Sequence, residues 1–167
     1  AGKMAAAYVK GIQSKGISAC PKHFAANSQE LRRMASDSVV DERTFREIYT
    51  TGFEIAVKEG KSKSIMCSYN EVNGVYANEN RHMLQEILVD EWGFDGYVVS
   101  DCGAIQDINE NHHVTKNEKE SAALAVNNGC QLNCGKAYHW VKAAVEGGLI
   151  SEDTVTCAVE RLFEARF

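Results

Sequence analysis

Asp101 stands directly after a continuous apolar run, Gly96–Ser100 (GYVVS), that opens on glycine and is rich in β-branched residues. Such a run predicts a buried strand. A carboxylate at its end is partly desolvated yet faces open space. There it can act as nucleophile, general base or metal ligand. The turn-like Asp101-Cys102-Gly103 suits a capping carboxylate equally well. Lys22-His23 follows a second apolar run, Ile17–Cys20, across Pro21. The pair offers two hydrogen-bond donors, one a fixed positive charge, suited either to a hydroxyl-rich ligand or to an ion pair beside a satisfied histidine. Arg33 adds a cation, or forms a solvated surface pair with Arg32. Tyr69 follows the run Ser64–Ser68 (SIMCS) and can stack on a ligand, donate to it, or sit in the core. His112 and His113 are adjacent, so their side chains point apart, and the H-E-x-x-H spacing of a helical zinc site is absent. No G-x-G-x-x-G, Walker A or G-x-S-x-G motif occurs, so nucleotide binding and serine hydrolysis lack their usual signatures. No metal and no cofactor is expected.

The elements that must position these residues alternate between short apolar runs and longer helical patterns. Met4, Ala7, Tyr8 and Ile12 recur at helical spacing over Ala1–Ser14. A polar stretch leads to Val40, and Asp41 is an N-cap for a helix that reaches Gly60. Asn73-Gly74 signals a turn, and Asn80 caps a helix carrying Met83, Leu84, Ile87 and Leu88. A loop with Asp107, His112 and His113 precedes a helix over Glu118–Asn128. Gly129–Asn133 is the weakest strand, and two helices follow it, the last capped by Ser151. Strands therefore begin near Ile17, Ser64, Gly96 and Gly129, spaced by about 47, 32 and 33 residues, the length of a βα unit. Runs that are continuous rather than alternating suit a parallel sheet covered on both faces. Two folds fit: an open doubly wound sheet, or part of a (β/α)8 barrel, which needs about 250 residues. Both place chemistry at the C-terminal ends of strands, where Lys22-His23, Tyr69-Asn70, Asp101-Cys102 and Asn133-Cys134 stand.

Eighteen basic and 23 acidic residues leave a net charge of −5, and 44% of the chain is hydrophobic, which excludes disorder, collagen and coiled coil. No basic block suits nucleic acid, and no apolar run approaches the roughly 18 residues of a membrane span. The six cysteines are scattered at 20, 67, 102, 130, 134 and 157. They read as reduced, buried thiols, and with no leader visible at Ala1 they point to a cytoplasmic protein, unless a leader lies upstream.

Taken in order, Lys22-His23-Phe24, Ser68-Tyr69-Asn70 and Val99-Ser100-Asp101, with DERTFREIY (41–49) and LVDEWGFDGYVVSDCGA (88–104), make the chain resemble glycoside hydrolase family 3, over essentially all 167 residues. That family includes β-glucosidases and β-xylosidases. The segment from Lys22 to Tyr97 resembles bacterial β-glucosidases, whereas SDCGAI, His112-His113 and GCQLNCG resemble the β-xylosidase branch. Cys102 replaces a Trp common in the β-glucosidases, and Gln131 an Asp common in the β-xylosidases.

The resemblance implies an α/β fold, a partial TIM (β/α)8 barrel of four parallel strands alternating with helices. Residues 1–167 would then be a single fragment, the second half of the family's N-terminal barrel domain. It also implies a retaining β-glycosidase acting on a β-linked oligosaccharide or glycoside. Asp101 matches the nucleophile, while Lys22, His23, Arg33 and Tyr69 match residues of the sugar subsite. Lys22 and Arg33 would favour the ionised form of Asp101. The family's acid/base carboxylate comes from a following sandwich domain, and Glu71, Glu79 and Asp107 match no motif for it. The chain alone is thus expected to have little or no activity. A non-catalytic half-barrel that self-associates, or that pairs with a missing half-barrel, is the alternative.

Overall fold

Helices make up most of the regular structure, and the strands are only two or three residues long. The computed structural model describes residues 1–167. Its helices are α1 (Gly2–Gln13), α2 (residues 42–58, with a wider winding over Phe45–Thr50), α3 (His82–Glu91, also wound wide), α4 (Ala104–Glu110), α5 (Glu118–Asn127), α6 (Val141–Glu146) and α7 (Glu152–Glu164). Its strands are β1 (Asp37–Ser38), β2 (Ser64–Met66), β3 (Glu71–Val72), β4 (Val75–Tyr76) and β5 (Tyr97–Val99). No helix is long and apolar enough to cross a membrane.

Parallel pairing of β2 with β5 sets Ile65 opposite Val98, and both are fully buried. A single parallel bridge, Phe24 to Cys67, adds a segment on one side, and another, Val99 to Leu132, adds one on the other. Four parallel segments therefore lie side by side in chain order, but only two are regular strands. Ile17–Cys20 forms no strand: the backbone bonds to β2 start just beyond it, from the Met66 amide to the Pro21 carbonyl and from the Phe24 amide to the Met66 carbonyl. Gly129–Asn133 contributes a bridge at Leu132 and bonds from Gln131 to Val98, not a regular strand. Gly96 lets β5 start close against its neighbour, since a Cβ there would lie 2.2 Å from the Lys63 carbonyl oxygen.

A second, small sheet was not legible in the polar stretch. β3 and β4 form a hairpin across Asn73-Gly74, and β1 joins β3 in parallel. Asn73 and Gly74 both have positive φ, 53° and 79°, as the tight turn preferred by twisted hairpins requires. Asp41, Asn80 and Ser151 cap their helices as their types predict, accepting from the amides of Thr44, Met83 and Thr154 at 3.0, 3.1 and 3.0 Å. Residues 104–110, expected to be loop, form α4. Ile105 and Ile108 lie on one helical face and are fully buried, and that packing overrides the polar residues around them.

The core gathers Phe24, Phe45, Ile65, Met83, Leu84, Ile87, Leu88, Trp92, Val98, Ile105 and Ile108. Phe24 is its pivot, 5.1 Å from the Phe53 ring and 5.9 Å from that of Trp92. α1 packs through its small residues, Gly2, Ala6 and Val9, and leaves Met4 and Tyr8 each 68% exposed.

Outside the core, α2 and α3 are clasped by charge. Arg46 pairs with Glu42 at 2.5 Å and with Glu91, and His82 lies 2.7 Å from Glu86 and 3.2 Å from Glu42. The Glu86 hydrogen bond, with help from Glu42 and against partial burial, raises the His82 imidazolium above its ordinary range. A raised basic group stabilises the fold fully below its unfolded value, about 6.5, and that contribution is lost as pH rises through the folded value. The clasp is half exposed, so solvent screening keeps it to about 1 kcal/mol or less. Urea midpoints at about pH 5.5 and pH 8.5 should fall more in the wild type than in His82→Gln. Equal falls would show that the clasp is silent.

Candidate functional site at the strand ends

Four parallel segments bring four short sequences to one edge: His23-Phe24, Ser68-Tyr69, Ser100-Asp101 and Asn133-Cys134. Phe24 is wholly buried, so the chain before it rises to the rim and presents His23. Asp101 follows β5, and Gly103, in the left-handed region at φ 83°, turns the backbone into α4. The Asp101 carboxylate is held at both oxygens. Oδ1 accepts from the Cys102 amide at 2.7 Å, and Oδ2 lies 3.3 Å from His23 Nε2. The Asp101 side chain is 15% exposed and that of His23 27%, so both remain open to a ligand.

Tyr69 closes the next side. Its hydroxyl donates to the Cys102 carbonyl, the residue after Asp101. Burial first, and the Asp101 and Asp107 charges after it, push that hydroxyl up from its ordinary range, so it stays a donor. The Arg33 guanidinium sits 4.6 Å above the Tyr69 ring and is paired with Glu30 at 2.8 Å. The structure thus assembles Asp101, His23, Tyr69 and Arg33. It leaves Lys22 exposed in an open cleft between α1 and α2, with Pro21 and Glu47. The basic side chain within ion-pair distance of Asp101 is His23; neither Lys22 nor Arg33 lies that close.

Ser100 and Asn133 buttress the same edge. Ser100 Oγ donates to Asn133 Oδ1 at 3.2 Å and accepts from the Cys134 amide at 3.0 Å. Cys102 and Cys134 are joined by a disulfide. This corrects the expectation of six reduced thiols, and Cys20 and Cys157 are exposed rather than buried; only Cys67 and Cys130 are both free and buried. The cause is topological: neighbouring parallel strands end side by side, so residues one βα unit apart meet. The cysteines are 32 residues apart, within one residue of the spacing between the strands they follow, and that near-coincidence was the signal in the sequence.

His112 and His113 do point apart. His113 faces the Asn109 carbonyl, whereas His112 is buried against Glu71 and the Tyr69 carbonyl. No group of three histidine, cysteine or acidic side chains is placed to hold a metal ion.

A strand-end carboxylate backed by histidine, tyrosine and arginine, on parallel α/β segments, defines a polar-ligand site of the barrel type. Residues 1–165 match the glycosyl hydrolase family 3 N terminal domain, and the chain belongs to that family. It is 42% identical, over 99% of its length, to thermostable beta-glucosidase B of Acetivibrio thermocellus. Among solved structures, it superposes on a GH3 exo-beta-xylosidase in complex with a xylobiose aziridine activity-based probe with a TM-score of 0.91, at 31% identity over 97% of the chain. Beta-glucosidase 3B from Thermotoga neapolitana, in complex with alpha-D-glucose, superposes at 0.85, with 38% identity over 98%. The chain spans 20% of the first of these proteins, 23% of the second and 22% of the third.

Proposed function

We propose that residues 1–167 are the second half of the (β/α)8 barrel of a retaining β-glycosidase acting on terminal β-glucosyl or β-xylosyl residues. Asp101 is the nucleophile. His23, Arg33 and Tyr69 hold the sugar around it. The carrying observation is the Asp101 carboxylate, fixed at a strand end with one oxygen on a backbone amide and the other facing His23. In this reaction an ionised carboxylate attacks the anomeric carbon while an acid protonates the leaving oxygen. Water then hydrolyses the glycosyl ester, and the same acid, now a base, removes the water's proton. The Asp101 carboxylate stabilises the positive charge that builds on the ring oxygen and anomeric carbon, and bonds donated by the sugar hydroxyls strengthen with it.

The acid comes from elsewhere in the protein. Glu71 is engaged by His112, and Asp107 is buried behind Tyr69. The open row of Met4, Tyr8 and Ile12 on α1 supports a further barrel segment packing there, as does the greater length of the relatives.

A 2-deoxy-2-fluoro β-glycoside with a good leaving group tests the reading. The fluorine slows the second step more than the first, so the ester accumulates. Digestion of the inactivated, intact enzyme is expected to give a peptide carrying one fluorosugar on Asp101. Label on any other carboxylate would reassign the nucleophile.

A further inference from the structure

Behind Tyr69, on the side away from Asp101, lies a group of buried titratable residues that the glycosidase reading leaves unused. We propose that His112 is a positioning residue of the sugar site, and that it works as an imidazolium paired with Glu71. The proposal rests on the glycosidase reading and deepens it.

The geometry starts from the two ring nitrogens. The His112 side chain is 2% exposed. Its Nδ1 lies 3.3 Å from Glu71 Oε1 and its Nε2 lies 3.1 Å from the Tyr69 carbonyl oxygen. A carbonyl can only accept, and so can an ionised carboxylate. A neutral imidazole carries one N–H and would leave a nitrogen lone pair against an oxygen lone pair. Both contacts are satisfied when the ring carries both hydrogens.

The surroundings select that form. Asp107, on α4, is buried, accepts from Asn111 at 2.5 Å through Oδ1, and has no protein partner on Oδ2. Glu79 follows β4 on the Glu71 side, and Glu110 follows Asp107 on α4. Tyr76, from β4, packs tilted against the imidazole at 4.4 Å between centroids and donates its own hydroxyl to the Ala104 carbonyl. The other cation facing the cluster is Arg33, beyond the Tyr69 ring and tied to Glu30. Carboxyl groups outnumber cations here, so a proton kept on His112 offsets a local negative excess.

The contacts close a ring around the nucleophile. Tyr69 donates its hydroxyl to the residue after Asp101. The chain runs on through α4 to His112, whose imidazolium returns to the carbonyl of Tyr69 itself. A neutral ring can keep only one of its two bonds, so deprotonating His112 breaks the bridge between Glu71 and Tyr69 whichever nitrogen keeps the hydrogen. Tyr69, and the Arg33 stacked on it, then lose their fixed place relative to Asp101. The result falls on turnover more than on substrate capture, because a displaced Tyr69 loosens the loop that aims the carboxylate.

The test uses the intact enzyme with aryl β-glucoside and β-xyloside substrates. His112→Gln keeps a donor but cannot titrate, and Glu71→Gln removes the counter-charge. Each is expected to lower kcat about tenfold with KM changed less than about twofold. Each should also move the alkaline limb of the kcat profile, normalised to its maximum, by at least about half a pH unit. Normalised profiles that superpose on the wild type, or variants that lose melting temperature alone, would overturn the positioning role. Selective 15N-histidine NMR, with His112→Gln assigning the signal, reads the pair without turnover. Two protonated ring nitrogens at about pH 7 are expected, and one would overturn the imidazolium. An intact wild-type enzyme that cleaves no β-glycoside would sink the glycosidase reading and with it the positioning role, while the NMR result would still judge the pair.

Discussion

Asp101→Asn in the intact enzyme is expected to lower kcat for an aryl β-glycoside by about 10³-fold or more, which corresponds to about 4 kcal/mol of lost transition-state stabilisation. Asn is nearly isosteric and can keep its oxygen on the Cys102 amide, so the fold and the place of His23 are retained. What is lost is the ionised oxygen that would bond to the anomeric carbon, and no neighbour replaces it. A nucleophile can be told from a general base by rescue. In Asp101→Gly the space left can admit azide, which attacks the anomeric carbon directly. The product expected is a glycosyl azide of inverted configuration, with a clear rise in rate. A general base would give no such product. Activity of Asp101→Asn within about tenfold of the wild type would remove Asp101 from the chemistry.

Loss of the disulfide should have the next largest effect. Cys102 follows the proposed nucleophile, and its sulfur is bonded to Cys134 across 32 residues. Cross-linking a loop of that length lowers the entropy of the unfolded chain by an amount worth about 3.7 kcal/mol. At about 2–4 °C per kcal/mol for a domain of this size, Cys102→Ser should melt roughly 10 °C lower. The backbone bonds from Gly103 to Cys134 and from Cys134 to Ser100 Oγ persist, so the strand ends stay paired but loosen. Because the Cys102 carbonyl accepts from Tyr69, kcat should fall as well, by about tenfold. Cys102 is exposed and reachable by a thiol reductant. Wild type kept in reductant should therefore approach the variant in melting temperature, and the variant should not respond. Equal melting of wild type and Cys102→Ser in oxidising buffer would mean that the bond contributes nothing to the fold.

How much of this was legible in the sequence depended on whether the signal was local. Asp41, Asn80 and Ser151 could be read as caps because a cap is an interaction between residues three apart. β5 could be read from YVV, and the turn from Asn73-Gly74, for the same reason. Ile17–Cys20 misled because an apolar run says that a segment is covered, not that it pairs; the backbone bonds to the neighbouring strand start beyond it, at Pro21 and Phe24. α4 was missed because Asp107 and its Asn neighbours favour loops locally, while Ile105 and Ile108 hold the helix through contacts with distant residues.

The candidate site divides in the same way. Asp101, His23 and Tyr69 are named by short motifs whose order survives in the chain, and Arg33 by the family resemblance those motifs carry. That order, with the repeat of about 33 residues between strands, was enough to place them at one edge. The sequence by itself determined residue types, helix starts, the strand-end position of Asp101 and the family. Tertiary structure alone decided that Asp101 meets His23 rather than Lys22, that Arg33 lies on the Tyr69 ring, that Cys102 joins Cys134, and that His112 bridges Glu71 and Tyr69. Those contacts span 32 to 78 residues or turn on side-chain direction at a strand end. The register of adjacent parallel strands sets them, and that register is a property of the packed core, not of any local run of residues.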